Sequence, residues 1–354
     1  MTTLRVLLHV AAHRDYELHS LHFSTAFLQG SLHEEIWLRR PPGFTGSFPD
    51  DSYCSWFAPS TADPSLFLRT YTTLPPFYVL VYVDDLVFAT ADTEALARVK
   101  SELQKRHTCT DLGELTSYLG LRITWDIAQR TITLTQSHMV QQVLQRFGFM
   151  YSSPLSTPLP TGHSLSAPPS NESYIGHRAR VVLTGHADAF FVDDLATQRS
   201  SQGYTFCLGS GSVSWRSTRS SSVLSSSCEA EIYAGAMAAQ ELRWLTYLLT
   251  DLGEAPRSPP VLYVDNKAML ALCQEHRLEH RTKHIALRYF LAPELQQRGQ
   301  LHLAYVASQA NTADVFTKAL QPCDHQPCFA FLDWSYDLLF SPTLPMGVCR
   351  TYIL

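Results

Sequence analysis

The chain has 354 residues, a net charge of −5 and an apolar share of 45%. That length supports two domains with real cores, and no stretch is apolar for long enough to cross a bilayer. The mild acidity gives no sign of a generally basic nucleic-acid binder.

Residues 1–48 read as a helix followed by a loop at Pro41, Pro42 and Gly43, and residues 49–65 as loop. The apolar opening Leu4–Ala12 lacks a cleavage site and runs into charged residues, which argues against a secretory signal. Phe77–Val83 and Leu86–Thr90 read as two short strands around an acidic turn. Asp92 and Thr93 are N-cap candidates for a helix carrying Leu96, Val99 and Leu103. Strand-like segments follow at Tyr118–Trp125 and Thr131–Leu134, and a short helix with Val140, Val143, Leu144 and Phe147 stops at Gly148. The Ser/Pro-rich stretch 151–173 is a linker candidate.

Beyond it the order is three strands, a helix, a strand, a helix, a basic helical segment, a strand and a last short helix. The first strand, Val181–Thr184, runs into Asp188; Gly203–Leu208 and Ser212–Arg216 follow. The long helix starts near Cys228 with a capping box of Ser226 and Glu229. It carries Ala234, Met237, Ala238, Leu242, Leu245 and Leu249 at the three-and-four spacing of a buried stripe, and ends at Gly253. Val261–Val264 stops at Asp265, Leu301, Leu303 and Tyr305 alternate as a half-buried strand, and Asn311 caps the final helix.

Four carboxylates occupy informative places: Asp188 after the first strand, Glu231 in the second turn of the long helix, Asp265 at a strand end and Asp314 at the start of the last helix. Each alone has a plainer reading as turn, cap or surface residue. Together, acids at strand ends and helix starts converge if the sheet is mixed, and such a cluster repels itself unless cations sit inside it. Two divalent ions held about 4 Å apart by shared carboxylates suit phosphodiester cleavage.

Eight scattered cysteines lack framework spacing and fit a reducing, intracellular setting. Cys323, His325 and Cys328 make an incomplete zinc set, read as chance proximity. The basic run Arg277, His280, Arg281, Lys283, His284 and Arg288 can track a phosphate backbone, but charge alone favours the plainer reading of a solvated helix face.

Several segments resemble the copia-type retrotransposon Pol polyprotein. Ser226–Ala234, Leu262–Ala268, Arg281–Ile285 and Ala313–Lys318 resemble its ribonuclease H motifs. Val81-Tyr82-Val83-Asp84-Asp85-Leu86-Val87, Thr25–Gly30, Arg40–Phe44 and Asp111–Leu115 resemble its reverse transcriptase. The fold implied is α+β or α/β: a partial reverse-transcriptase palm, then a ribonuclease H-like mixed five-stranded sheet with flanking helices. The domains implied are a partial reverse transcriptase at 1–150, a linker at 151–177, a ribonuclease H-like domain at 178–320 and a divergent tail at 321–354.

The resemblance implies cleavage of RNA in an RNA–DNA hybrid, with two Mg²⁺, or Mn²⁺ in their place, held by Asp188, Glu231, Asp265 and Asp314. It also implies that Asp84, with Asp85 beside it, faces Mg²⁺ in the palm. Oligomeric state is not legible. An integrase places its Glu last among the acids, whereas here Glu231 comes second.

The sequence departs from the family pattern in three ways. His22 stands where the palm's third Asp is expected, and imidazole is a poor substitute in a Mg²⁺ site. Phe190 and Phe191 replace a polar residue and a Trp after Asp188. Segments of the family are missing between Phe48 and Ala62 and between Tyr174 and Val181, and the fingers expected ahead of residue 1 are not seen. The expectation is a polymerase-inactive fragment with hybrid-dependent RNA cleavage in the second domain. The rival readings are a non-catalytic nucleic-acid-binding remnant and an unstable one, the latter suggested by Pro293 inside a helical pattern.

Overall fold

The computed structural model describes residues 1–24, 57–69, 73–126, 131–151, 173–175, 182–194, 197–209, 211–274 and 291–320. The motifs at Thr25–Gly30, Arg40–Phe44 and Arg281–Ile285 lie outside them, as do the basic run from Arg277 to Arg288, Cys323–Cys328, the tail and most of the linker.

The chain forms two compact units, residues 15–115 and residues 1–14 with 116–354. These units do not follow the limits expected at 150 and 178. The first fourteen residues form helix α1 (Thr2–Arg14), which buries Leu4, Val6, Leu7, Leu8, Val10 and Ala11. His9, on the polar row of Arg5, His9 and His13, is buried as well, so the helix is covered on most sides.

In the 15–115 unit, six strands form one sheet: β1 (Glu17–Phe23), β2 (Phe57–Pro59), β3 (Leu66–Arg69), β4 (Phe77–Tyr82), β5 (Asp85–Thr90) and β6 (Cys109–Glu114). Their order is β2-β3-β4-β5-β1-β6, with every pairing antiparallel. Alternation turns Phe77, Val79, Leu86 and Phe88 inward with Leu21. Helix α2 (Thr93–Arg106) adds Ala95 and Leu96 to that core. Its N-cap is Asp92, whose carboxylate accepts from the Ala95 N–H at 2.9 Å. Strands β1 and β2 fall where helix-then-loop and loop were expected. In β1 the polar His19, Ser20 and His22 mask the alternation, although Leu18 and Leu21 are buried.

The other unit contains a small sheet of β7 (Ser117–Tyr118), β8 (Leu121–Asp126), β9 (Thr131–Thr135) and β10 (Ser173–Ile175), ordered β10-β9-β8-β7. Helix α3 (Ser137–Arg146) ends as expected at Gly148. This glycine has φ +74, and the Phe149 N–H returns to the Leu144 carbonyl at 2.8 Å.

The same unit carries the larger sheet: β11 (Leu183–Asp194), β12 (Arg199–Leu208), β13 (Gly211–Arg219), β14 (Val261–Val264) and β15 (His302–Tyr305). The order is β13-β12-β11-β14-β15. The first three strands are mutually antiparallel, and β14 runs parallel to both β11 and β15. This is the mixed, ribonuclease H-like five-stranded sheet that the sequence implied. Helices α4 (Ser227–Asp251), α5 (Lys267–Gln274) and α6 (Leu291–Gln297) flank it, and 3-10 turns follow at Ser308–Ala310 and Thr312–Phe316. The α4 stripe buries Ala234, Ala238, Leu242, Leu245 and Leu249. Pro293 sits in the first turn of α6, where a missing N–H costs nothing, so it gives no ground for instability.

Candidate metal centre

Asp188 lies inside β11, seven residues longer at its C-terminal side than a strand ending before it would be, and is fully buried; the expected position after the strand is corrected accordingly. β11 outlasts its predicted end because β12 pairs with it as far as Phe190, and again at Asp194. The parallel register sets His186 beside Tyr263. Carried two residues further, that register brings Asp188, in the middle of β11, level with Asp265, which lies just past the carboxyl end of β14. Asp265 follows the last residue of β14, and Asn266 caps α5 by accepting from the Met269 N–H at 2.9 Å.

Asp314 arrives from the 3-10 turn Thr312–Phe316 rather than from an α-helix. Three hydrogen bonds seat that turn. Asn311 Nδ2 donates to the Ala187 carbonyl at 3.1 Å, Asn311 Oδ1 accepts from the Ala313 N–H at 3.2 Å, and Ser217 Oγ donates to the Phe316 carbonyl at 2.6 Å. Close approach requires Gly203, the direct partner of Asp188 across the sheet. A Cβ on Gly203 would stand 2.7 Å from Phe316 Cβ and 3.0 Å from Thr317 Cγ2.

The carboxylates of Asp188, Asp265 and Asp314 bring one oxygen each within 4.8 Å of one another. This triad of hard oxygen donors on a ribonuclease H-like sheet is consistent with a metal site. Glu231 stands beside it on α4 and accepts from the Ala189 N–H, while its buried Oε2 has no hydrogen-bond partner among the described residues. Burial, then the charges of Asp188 and Asp265, push the Glu231 carboxyl up to about 9. Burial and then Asp188 likewise raise Asp314, against the pull of Lys318. An orphaned buried carboxylate oxygen next to three acids fits divalent ions better than it fits a closed hydrogen-bond network. The neighbouring Glu229 is not part of this cluster. Its Oε2 accepts from Ser225 N–H and Oγ at 2.7 and 2.6 Å, so the return bond of the capping box goes one residue ahead of the Ser226 cap.

Three further site residues carry no carboxylate. Lys318 Nζ donates to Asp188 Oδ1 at 3.0 Å and to Asp314 Oδ1 at 2.9 Å. Thr317 Oγ1 donates to Asp188 Oδ2, and Ser308 Oγ donates to Asp265 Oδ2 at 2.7 Å. The i, i+4 spacing of Asp314 and Lys318 is visible in the sequence, whereas nothing local marks Ser308. Phe191 packs with Ala189, Leu224, Ala230 and Ala234 as a core residue, and Phe190 is 43% exposed.

The second cluster lies in the 15–115 unit. The β4–β5 hairpin turns at Val83 and Asp84, and Asp85 already belongs to β5, not to the turn. Val83 has φ +57, a left-handed conformation that costs a β-branched residue roughly 1–3 kcal/mol. Register places His22 of β1 opposite Asp85. His22 Nδ1 lies 2.9 Å from Asp85 Oδ1 and 4.0 Å from Asp84 Oδ2. The position expected for a third acid is therefore at the cluster, but it holds an imidazole. This donor set does not fit a Mg²⁺ ion that needs a third bridging carboxylate.

Residues 50–161 match the family model described as reverse transcriptase (RNA-dependent DNA polymerase). The Pol polyprotein of transposon TNT 1-94 from Nicotiana tabacum is 25% identical over 413 residues, which cover 90% of this chain and 31% of that protein. The polyprotein of transposon RE2 from Arabidopsis thaliana is 26% identical, covering 90% of this chain and 28% of its own length. The chain thus spans less than a third of the length of each of these two polyproteins. The 413-residue alignment is longer than the 354-residue chain, so it includes stretches of the relative without counterpart here. The N-terminal ribonuclease H domain of a Mycobacterium tuberculosis protein aligns with 43% of this chain and 96% of that one, at 13% identity and TM-score 0.30. The chain is a homologue of copia-type retrotransposon Pol polyproteins, with a reverse-transcriptase segment and a ribonuclease H-like sheet.

Proposed function

We propose that the region from 178 to 320 cleaves the RNA strand of RNA–DNA hybrids, and that the reverse-transcriptase region, residues 1–150, does not polymerise. The observation that supports cleavage is the meeting of one oxygen each of Asp188, Asp265 and Asp314 within 4.8 Å, beside a buried Glu231 oxygen that has no partner among the described residues. These four residues would hold two Mg²⁺ ions, or Mn²⁺ in their place. Ions so held supply an acidified water and neutralise charge on the leaving oxygen.

The chain's own groups do the rest. Asp188 and Asp265 fix the floor of the site from parallel strands. Asp314 closes it from a turn pinned by Asn311 and Ser217. Glu231 approaches from α4, where Ala189 orients one of its oxygens. Thr317 and Ser308 hold the outer oxygens of Asp188 and Asp265 and so fix which lone pairs face inward. The reading carries an intracellular setting with it, in keeping with the free thiols of Cys109, Cys207, Cys228 and Cys273.

The absence of polymerisation rests on His22, which puts a ring nitrogen where the cluster at Asp84 and Asp85 needs a carboxylate. Two assays test the pair of statements. A labelled hybrid incubated with folded chain and Mg²⁺ or Mn²⁺ is cleaved, and Asp265→Asn stops it; equal cleavage by the variant contradicts the assignment. Primer extension on an RNA template gives no product, and extension lost on Asp84→Asn would overturn the second statement.

A further inference from the structure

The proposal that follows rests on the reading of Asp188, Asp265 and Asp314 as cation ligands. A cation already touches two of them. Lys318 Nζ sits 3.0 Å from Asp188 Oδ1 and 2.9 Å from Asp314 Oδ1, bridging residues from different elements. Asp188 is fully buried, and its other oxygen is taken by Thr317. Its charge faces an ammonium that it shares with Asp314. Lys318 itself is 27% exposed at the side chain, so solvent reaches it from one side while the acids lie beneath.

We propose that Lys318 is a displaceable internal counter-ion: it holds the acid cluster together without metal, leaves when a divalent ion enters, and thereby sets the metal affinity of the site. The two states oppose each other on electrostatic grounds. A divalent ion held by Asp188 and Asp314 would stand within a few ångströms of the ammonium, and like charges at that range in a half-buried site repel strongly. The long flexible stem of lysine lets the head move into water with little rearrangement of the backbone. An ion pair kept only as a strut would need no such exposure.

Lys318 is thus a positioning residue, and its signature is metal affinity rather than turnover. Mn²⁺ is titrated calorimetrically into the full chain as wild type, Lys318→Met and Lys318→Arg, with melting curves in EDTA and in saturating Mn²⁺. Lys318→Met is expected to bind Mn²⁺ at least about tenfold more tightly. It should melt lower than wild type in EDTA, and the gap should close when Mn²⁺ is added. Lys318→Arg keeps the charge and stays within about threefold of wild type. Should Lys318→Met fail to fold without metal, Lys318→Gln is read by the same criterion. Unchanged or weaker Mn²⁺ binding in the neutral variant overturns the counter-ion role while leaving the metal site standing. Mn²⁺ binding that is missing from all three proteins, or that survives Asp188→Asn undiminished, removes the metal site and the proposal together.

Discussion

The hairpin cluster at Asp84 and Asp85 and the buried cluster around Asp188 use one functional group in opposite settings. The hairpin acids sit at the tip of a turn, partly open to water, with His22 as the third member. The acids around Asp188 come from two strands, a helix and a turn, with Asp188, Glu231 and Asp314 buried and Asp265 half-buried, and burial followed by the charges of Asp188 and Asp265 raises Glu231 to about 9. The difference teaches that proximity is not enough. Solvated acids tolerate one another without an ion, whereas buried ones require a cation, and here Lys318 supplies it from the chain itself.

The largest effect that can break this comparison is a charge deletion in each cluster. Asp188→Asn is expected to abolish hybrid cleavage, while Asp84→Asn leaves it intact; a gel assay on labelled hybrid reads both. Loss of cleavage in Asp84→Asn would mean that the two clusters are not independent.

Next comes the backbone approach at Gly203. Ala there drives a Cβ into Phe316 and Thr317. It should cost about 1–3 kcal/mol in urea unfolding and reduce cleavage beyond what lost stability explains, because the turn carrying Asp314 is displaced. Wild-type cleavage in a folded Gly203→Ala protein would show that the close approach does not position the acid.

A smaller effect is read in pH. Glu231 has a folded value of about 9 against an ordinary 4.5. A raised value contributes stability that is complete below 4.5 and is lost as pH climbs towards 9. In EDTA, this group should lower the free energy of unfolding by up to about 1.4 kcal/mol per pH unit between those limits. Glu231→Gln should flatten that slope, and an unchanged slope would show that burial and the neighbouring charges do not raise this carboxyl. The smallest expected effect is a gain at the hairpin. His22→Asp, in a background where Asp265→Asn has weakened the buried site, should introduce weak Mg²⁺ binding detectable by calorimetry.

The sequence reveals the buried cluster more fully than it reveals its surroundings. Val261–Val264 stopping at Asp265, and the capped helix carrying Glu231, are local patterns of period and capping. They need no tertiary knowledge. β1 escaped notice because its buried leucines are interrupted by His19, Ser20 and His22, which only pairing between β5 and β6 makes sense of. The full length of β11 was hidden for a related reason, since a fully buried acid mid-strand reads locally as an ending. Ser308 was illegible, because its bond to Asp265 spans 43 residues. α1 reads as a helix, but its contacts with β9 and β13, not its position in the chain, decide which unit it joins.

The central claim is that the acids of four separate elements form one cation-binding pocket. Anomalous X-ray scattering from crystals of the chain grown with Mn²⁺ tests it most directly. The account predicts Mn²⁺ peaks within coordination distance of Asp188, Asp265 and Asp314, with Glu231 drawn onto them and Lys318 Nζ moved away. Carboxylates that stay as they are, with Lys318 still bridging Asp188 and Asp314 and no anomalous peak between them at saturating Mn²⁺, would contradict it.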